Sequence, residues 1–305
     1  MLLEVTHETH YRYTPAVETA DHVLHLSPAD SAAQTVLAHR LEISPQPPMV
    51  RERIDVYGNR CSYFSLQGKH DELSVTAHST VRTHTPFAHP EQQAAWEQVR
   101  ELFRYRAGVP YHGAWEFLFA SPHAPRDAAF AEFASPSFAS GTPLLHAATS
   151  LMARIHQRVD YDGDSTDVNT PALLALQQGK GVCQDFAHIM VACCRAMGIP
   201  ARYVSGYMLT QPPPGQARLI GCDASHAWAS VYCPGQGSSA GQWFDFDPTN
   251  NRTPGKDYVT LATGRDFLDV SPLRGVIHGG AKHALRVAVT VMPLEAMLDP
   301  MQAGT

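Results

Sequence analysis

Residues 181–200 constrain the fold most. Phe186, Ile189, Met190, Cys193, Cys194 and Met197 recur at helical spacing, which predicts a helix with an apolar stripe that must be buried. Gly198 and Pro200 stop it, because glycine suits the left-handed residue that closes a helix and proline cannot continue one. The helix starts at Cys183, just after Gly181 and Val182. Unpaired first-turn amides and the positive end of the helix dipole favour an anion there. A thiolate is therefore stabilised, and the Cys183 amide is free to hold a developing oxyanion.

Such a helix needs a partner surface, and the following segments supply one. His226, Trp228, Ser230 and Tyr232 alternate with Ala227, Ala229 and Val231, and Trp243, Asp245 and Asp247 alternate with Phe244 and Phe246. That period of two predicts strands, joined by a Gly/Ser/Pro loop over 233–242. An antiparallel register with Tyr232 opposite Gly241 would set His226 against Asp247, with Cβ atoms about 5 Å apart. A slip of one residue would put them on opposite faces. A cysteine, a histidine and a carboxylate then stand as nucleophile, base and orienter: the imidazole holds the thiol as thiolate, and an acceptor on its second nitrogen fixes its orientation. Asp245 shares a face with Asp247, so periodicity does not choose between them.

The words around these residues, GVCQDFAH at 181–188, SHAW at 225–228 and WFDFDPT at 243–249, resemble the core of the transglutaminase-like superfamily. The resemblance implies Cys183 as nucleophile and His226 as base, and it chooses Asp247, within Asp-Pro-Thr, as orienter. THETHYRY and DVYGNR resemble the N-terminal region of bacterial transglutaminase-like proteins, and GRDFLDVSPLRGV at 264–276 extends the likeness over most of the chain. What this implies is an α+β fold: an antiparallel β domain, then a papain-like core whose catalytic helix packs on an antiparallel sheet. The implied activity is that of a cysteine protease or amidase, cutting a protein or peptide amide through a thioester, with no cofactor and no metal. Transfer of the acyl group to an amine is the alternative, since the same triad serves both. Animal crosslinking transglutaminases differ, because Val182-Cys183-Gln184 places no tryptophan beside the nucleophile and there is no room for their additional β domains. A non-catalytic binding module on the same fold is a third reading, and the presence of all three residues argues against it.

A length of 305 residues suggests about two domains. Residues 1–85 alternate as strands, with Leu3, Val5, His7, Thr9, Tyr11 and Tyr13 on one face and a two-residue turn, Gly58-Asn59, between Ile54–Tyr57 and Arg60–Phe64. Residues 86–143 form a connector with a short helical pattern through Ala95, Val99, Leu102 and Phe103, then an Ala/Ser/Pro-rich stretch that reads as a surface loop or short helical turns. Residues 144–276 form the core, with helices over 144–159 and from Thr170-Pro171. In 277–305, a strand from Leu285 to Val291 returns to one of the two sheets.

Other features bound the function. Asp160, Asp162, Asp164 and Asp167 resemble a calcium loop, but Ser165 and Pro171 stand where an EF-hand needs glycine and glutamate, so they read as a turn. Gln177 and Gln178 are either second oxyanion donors or surface glutamines. Cys61, Cys183, Cys193, Cys194, Cys222 and Cys233 show no disulfide or zinc spacing, and Cys193 and Cys194 read as core. A net charge of -6 without a basic cluster speaks against nucleic acid, and no apolar run spans a membrane or forms a leader. A cytoplasmic protein is expected.

Overall fold

The first sheet is built from β1 (Leu2–Ser27), β2 (Gln34–Ser44), β3 (Val50–Ile54) and β4 (Arg60–Thr83), all antiparallel. The computed structural model describes all residues except 87, 91–92, 164, 167–168, 211–224, 236–240, 281 and 295–305. Leu3, Val5, His7 and Thr9 are buried along β1 as the alternation requires. Register shifts near Val17 let this long strand bend while β4 follows it along most of its length. The turn before β4 is longer than the two residues expected. β3 ends at Ile54, and the Asp55 carboxylate accepts the Tyr57 and Asn59 amides at 2.8 Å each, so a side chain closes a loop over 55–59.

The connector is helical in short pieces: α1 (Trp96–Leu102), a 3-10 turn at Gly113–Leu118, and α2 (Ala128–Ala134) with a further turn at Ser135–Ser137. The Ala/Ser/Pro-rich stretch therefore takes the helical form. Then come α3 (Leu144–Arg158), β5 (Asp160–Tyr161), α4 (Ala172–Gln178), β6 (Lys180–Gly181) and α5 (Cys183–Ala196). β5 and β6 pair in parallel, and Pro171 caps α4 from outside its first turn. α5 starts and stops where its sequence predicts. Gly198 sits at φ +79°, its amide donates to Arg195 O at 3.0 Å, and Ile199 N donates to Cys194 O at 2.9 Å, a closing turn that only a left-handed residue permits without strain.

The second sheet follows: β7 (Ala201–Met208), β8 (Ser225–Cys233), β9 (Gln242–Phe246) and β10 (Tyr258–Gly264), antiparallel in the order β10-β7-β8-β9. α5 packs on it through a core that includes Phe186, Ile189, Met190, Cys193, Cys194, Ala229 and Val231. After α6 (Phe267–Val270), the chain returns to the first sheet as β11 (Leu273–Gly279) and β12 (Lys282–Pro293), both paired with β1. The C-terminal strand thus joins the N-terminal sheet, with Val5 opposite Val291 and Tyr11 opposite Leu285. Among the described residues, no helix is long and apolar enough to cross a membrane.

A second core joins the two sheets, where Leu3, Val5 and Val81 meet Tyr207, Val259 and Leu261. Two side-chain amides act there as if they were backbone. Gln34 donates to Thr260 O at 2.7 Å and accepts from Thr260 N at 2.8 Å, and Asn59 makes the same reciprocal pair with Thr263 at 2.8 Å each way. These pairs satisfy the outward amides and carbonyls of β10 and pin it against the first sheet.

Candidate active site

Cys183 occupies the first position of α5, partly exposed. The entry is built locally. The Asp185 carboxylate turns back to accept Val182 N at 2.8 Å and Thr166 Oγ1 at 2.7 Å, tying the loop after β5 to the helix start. Gly181 allows this, since a Cβ there would stand 2.7 Å from Asp185 Cβ. The Cys183 thiol lies 3.9 Å from the Ser225 carbonyl, at the start of the strand that carries His226.

His226 is buried, and its Nε2 meets Asp247 Oδ2 at 2.7 Å. Asp247 is fully buried with both oxygens occupied. Oδ2 also accepts Tyr258 Oη at 2.6 Å and Asn250 Nδ2 at 2.7 Å, and Oδ1 accepts the amides of Thr249 and Asn250 at 2.9 and 3.2 Å. Burial would push the Asp247 carboxyl up, but the hydrogen bond from His226, its charge and the Asn250 and Tyr258 donors hold it below the usual carboxylate range. Burial likewise opposes charge on His226. The hydrogen bond to Asp247, with the hydrogen bond and charge of Cys183 on the same ring, overcomes it and raises the imidazole to about 10. With Nε2 given to Asp247, Nδ1 is the atom left for the thiol. Trp228 and Tyr258 wall the ring, with centroids 6.2 and 5.9 Å from it.

The route to this geometry differs from the expected hairpin. Tyr232 pairs with Trp243 and Ser230 with Asp245, so the register is two residues from the predicted one. A shift of two preserves the face, which keeps Asp247 on the side of His226 but past the end of β9. There Asp247 is held by a backbone bridge to Arg252, with N···O distances of 2.9 and 3.2 Å, and reaches His226 diagonally. Asp245 faces Ser230 and the Arg202 charge instead; burial raises its carboxyl and Arg202 opposes that rise.

Asn250 and Tyr258 were invisible to periodicity. Asn250 follows the Asp-Pro-Thr word closely and could have been suspected, whereas Tyr258 arrives through β10 and carries no local signal. Gln177 and Gln178 are exposed on α4. Asp162 pairs with Lys180 at 3.1 Å, while Asp164 and Asp167 lie outside the described residues, as do Cys222 and much of the 233–242 loop. Cys193 and Cys194 are fully buried, as core residues should be.

Comparison with known proteins identifies the family and the fold. Residues 3–82 match the bacterial transglutaminase-like N-terminal region, and residues 131–248, which contain Cys183, His226 and Asp247, match the transglutaminase-like superfamily. A protein of Mycobacterium tuberculosis is 39% identical over 297 residues, covering 95% of this chain and 92% of that one. A protein-glutamine gamma-glutamyltransferase of Pseudomonas aeruginosa is 31% identical over 143 residues, 43% of this chain and 21% of its own length. In fold, the chain is similar to a proposed cysteine protease of Cytophaga hutchinsonii, with a TM-score of 0.73, 22% identity, and 96% and 91% of the two chains covered.

Proposed function

The chain belongs to the transglutaminase-like superfamily, and from that premise we propose that it is a cysteine-dependent amide hydrolase acting through Cys183, His226 and Asp247. One observation carries this reading: a buried imidazole is bound by a carboxylate at 2.7 Å and also interacts with a partly exposed thiol at a helix start. In this reading the reaction starts from a thiolate and an imidazolium, with Asp247 behind the ring.

Attack of the Cys183 sulfur on an amide carbonyl forms a C–S bond and a tetrahedral oxyanion, for which the backbone amide of Cys183 at the start of α5 is the proposed donor. Collapse breaks the C–N bond as His226 gives its proton to the departing amine, leaving a thioester and a neutral imidazole. His226 then takes a proton from water, whose oxygen attacks the thioester. The second collapse releases the acid and restores the thiolate and imidazolium. Asp247 stays ionised throughout and keeps Nε2–H directed away from the thiol.

Transfer to an amine is the second reading, favoured by the Pseudomonas aeruginosa relative's name. The chemistry forks at the thioester, where the fate depends on which nucleophile arrives. The experiment is a product assay on a glutamine-containing peptide with and without a millimolar primary amine. We expect the hydrolysed product to dominate in both and Cys183→Ala to abolish turnover while remaining folded. A product made mostly of the amine adduct would convert the assignment to transamidation, and full turnover by Cys183→Ala would remove the nucleophile. A cytoplasmic setting belongs to the same proposal, resting on reduced thiols at Cys61, Cys183, Cys193, Cys194 and Cys233.

A further inference from the structure

The first sheet holds another cysteine, histidine and aspartate, with the histidine distant in sequence from the other two. His25 lies near the end of β1, Cys61 near the start of β4, and Asp55 in the turn between β3 and β4. One candidate ligand atom from each lies within 4.8 Å of the other two. Tetrahedral zinc, with bonds of about 2.0 to 2.3 Å, sets its ligand atoms roughly 3.3 to 3.8 Å apart, so a small contraction would suffice. We propose that His25, Asp55 and Cys61 bind one borderline-soft divalent cation of the zinc class.

The orientation of the ring carries the argument. His25 Nδ1 is 3.2 Å from the Ser271 carbonyl, which can only accept, so Nδ1 is the protonated nitrogen. In the neutral ring, Nε2 then presents a lone pair, and it faces Asp55 Oδ2 at 3.6 Å. That distance is too long for a hydrogen bond and close to the spacing of two ligands on one ion. Two acceptors face each other, an arrangement that a shared cation relieves. Backbone carbonyls that fix the far nitrogen of a histidine are the usual support of a metal ligand.

The other two groups are also held. Asp55 Oδ1 is fixed by the Tyr57 and Asn59 amides and Oδ2 by Asn59 Nδ2 at 2.8 Å, which leaves Oδ2 lone-pair capacity toward His25. Cys61, 1% exposed, lies 3.7 Å from the Asn59 carbonyl and is also hydrogen-bonded to Asp55, so its thiol already points into the cluster. Binding would release the thiol proton to solvent and form three bonds to the ion, with water in the fourth position. Arg274 is the charge that opposes this, acting on both His25 and Cys61. The carboxylate and new thiolate together match the two positive charges of the ion. Bound there, the ion would also brace the turn whose Asn59 clamps Thr263 in the second sheet.

The test uses the full chain with Cys183→Ala, so that the catalytic thiol cannot supply a signal. Titration with Co(II) should give a saturable one-to-one complex with a thiolate-to-cobalt absorption band, displaced by Zn(II). Adding Cys61→Ser should abolish the band and weaken zinc binding roughly 100-fold, with near-ultraviolet circular dichroism reporting the fold. His25→Gln, which keeps the thiol, is the second variant and should weaken binding by a similar factor. Absence of a saturable cobalt spectrum in the Cys183→Ala chain, or a band that survives Cys61→Ser in a folded protein, would overturn the proposal. Neither result bears on hydrolysis by the unsubstituted enzyme.

Discussion

The two sheets each carry a cysteine, a histidine and an aspartate, and the contrast shows how placement turns one set of residue types to different ends. In the second sheet, His226 Nε2 meets Asp247 at hydrogen-bonding distance, 2.7 Å, and the thiol stands partly exposed at a helix start. In the first, His25 gives its proton to a carbonyl and faces Asp55 at 3.6 Å, and burial, then the charge and hydrogen bond of Asp55, push the strand-borne Cys61 thiol up to about 11. One arrangement stabilises an imidazolium beside a partly exposed thiol. The other gathers an imidazole lone pair, a carboxylate and a buried, protonated thiol within 4.8 Å of one another.

Breaking the catalytic side should have the largest effect. Asp247→Ala strands the His226 charge and the Tyr258 and Asn250 donors, so turnover should fall roughly 10³-fold and stability by about 3 kcal/mol. Asp245→Ala, two residues earlier, in β9, and opposite Ser230 of β8, should keep turnover within about fivefold. Equal losses of turnover from the two variants, measured on folded protein, would show that Asp247 is not the orienter.

Alkylation compares the two thiols directly. At pH 6, iodoacetamide should modify Cys183 at least about 100-fold faster than Cys61, Cys193, Cys194 or Cys233, all four of which are buried. Peptide mapping after partial labelling reads the ratio, and comparable labelling of Cys61 would erase the distinction between the sites.

Histidines of the two sheets should respond to pH with opposite sign. The folded pKa of His226 is raised from 6.5 to about 10, so its contribution is full below about 6.5 and is lost as pH rises through about 10. His7, buried in the first sheet against Tyr207 Oη at 3.0 Å, is lowered to about 4 by burial; its contribution is full above about 6.5 and is lost as pH falls toward 4. Asp247, held below its usual range, limits the His226 pair on the acid side. Urea unfolding should show the stability difference between wild type and His226→Gln shrinking from pH 6 to 10, by about tenfold in the folding constant per unit of pKa shift. The difference for His7→Gln should grow from pH 4 to 7. A His226 difference that increases with pH would contradict the raised imidazole.

The smallest effect sharpens the account of Asp247. Tyr258→Phe removes one of its donors and leaves His226 and Asn250, so turnover should fall about fivefold, corresponding to roughly 1 kcal/mol. No change in rate together with an unchanged pH profile would reduce Tyr258 to a packing residue.

What the amino-acid sequence determined by itself was whatever a short window can encode. The start of α5 at Cys183, its closing turn at Gly198, the strand through His226 and the face shared by Asp245 and Asp247 follow from periodicity and capping, which depend on residues within a turn or two. Family words then selected Asp247 from that face. Only the tertiary structure decided the hairpin register, the return of β11 and β12 to the first sheet, the Tyr258 and Asn250 bonds to Asp247, and the meeting of His25, Asp55 and Cys61. A period of two survives a shift of two residues, so register was legible only in its parity. The returns of β11 and β12 and the approach of His25 to Asp55 and Cys61 join segments distant along the chain, so how the sheets pack sets them rather than any local preference.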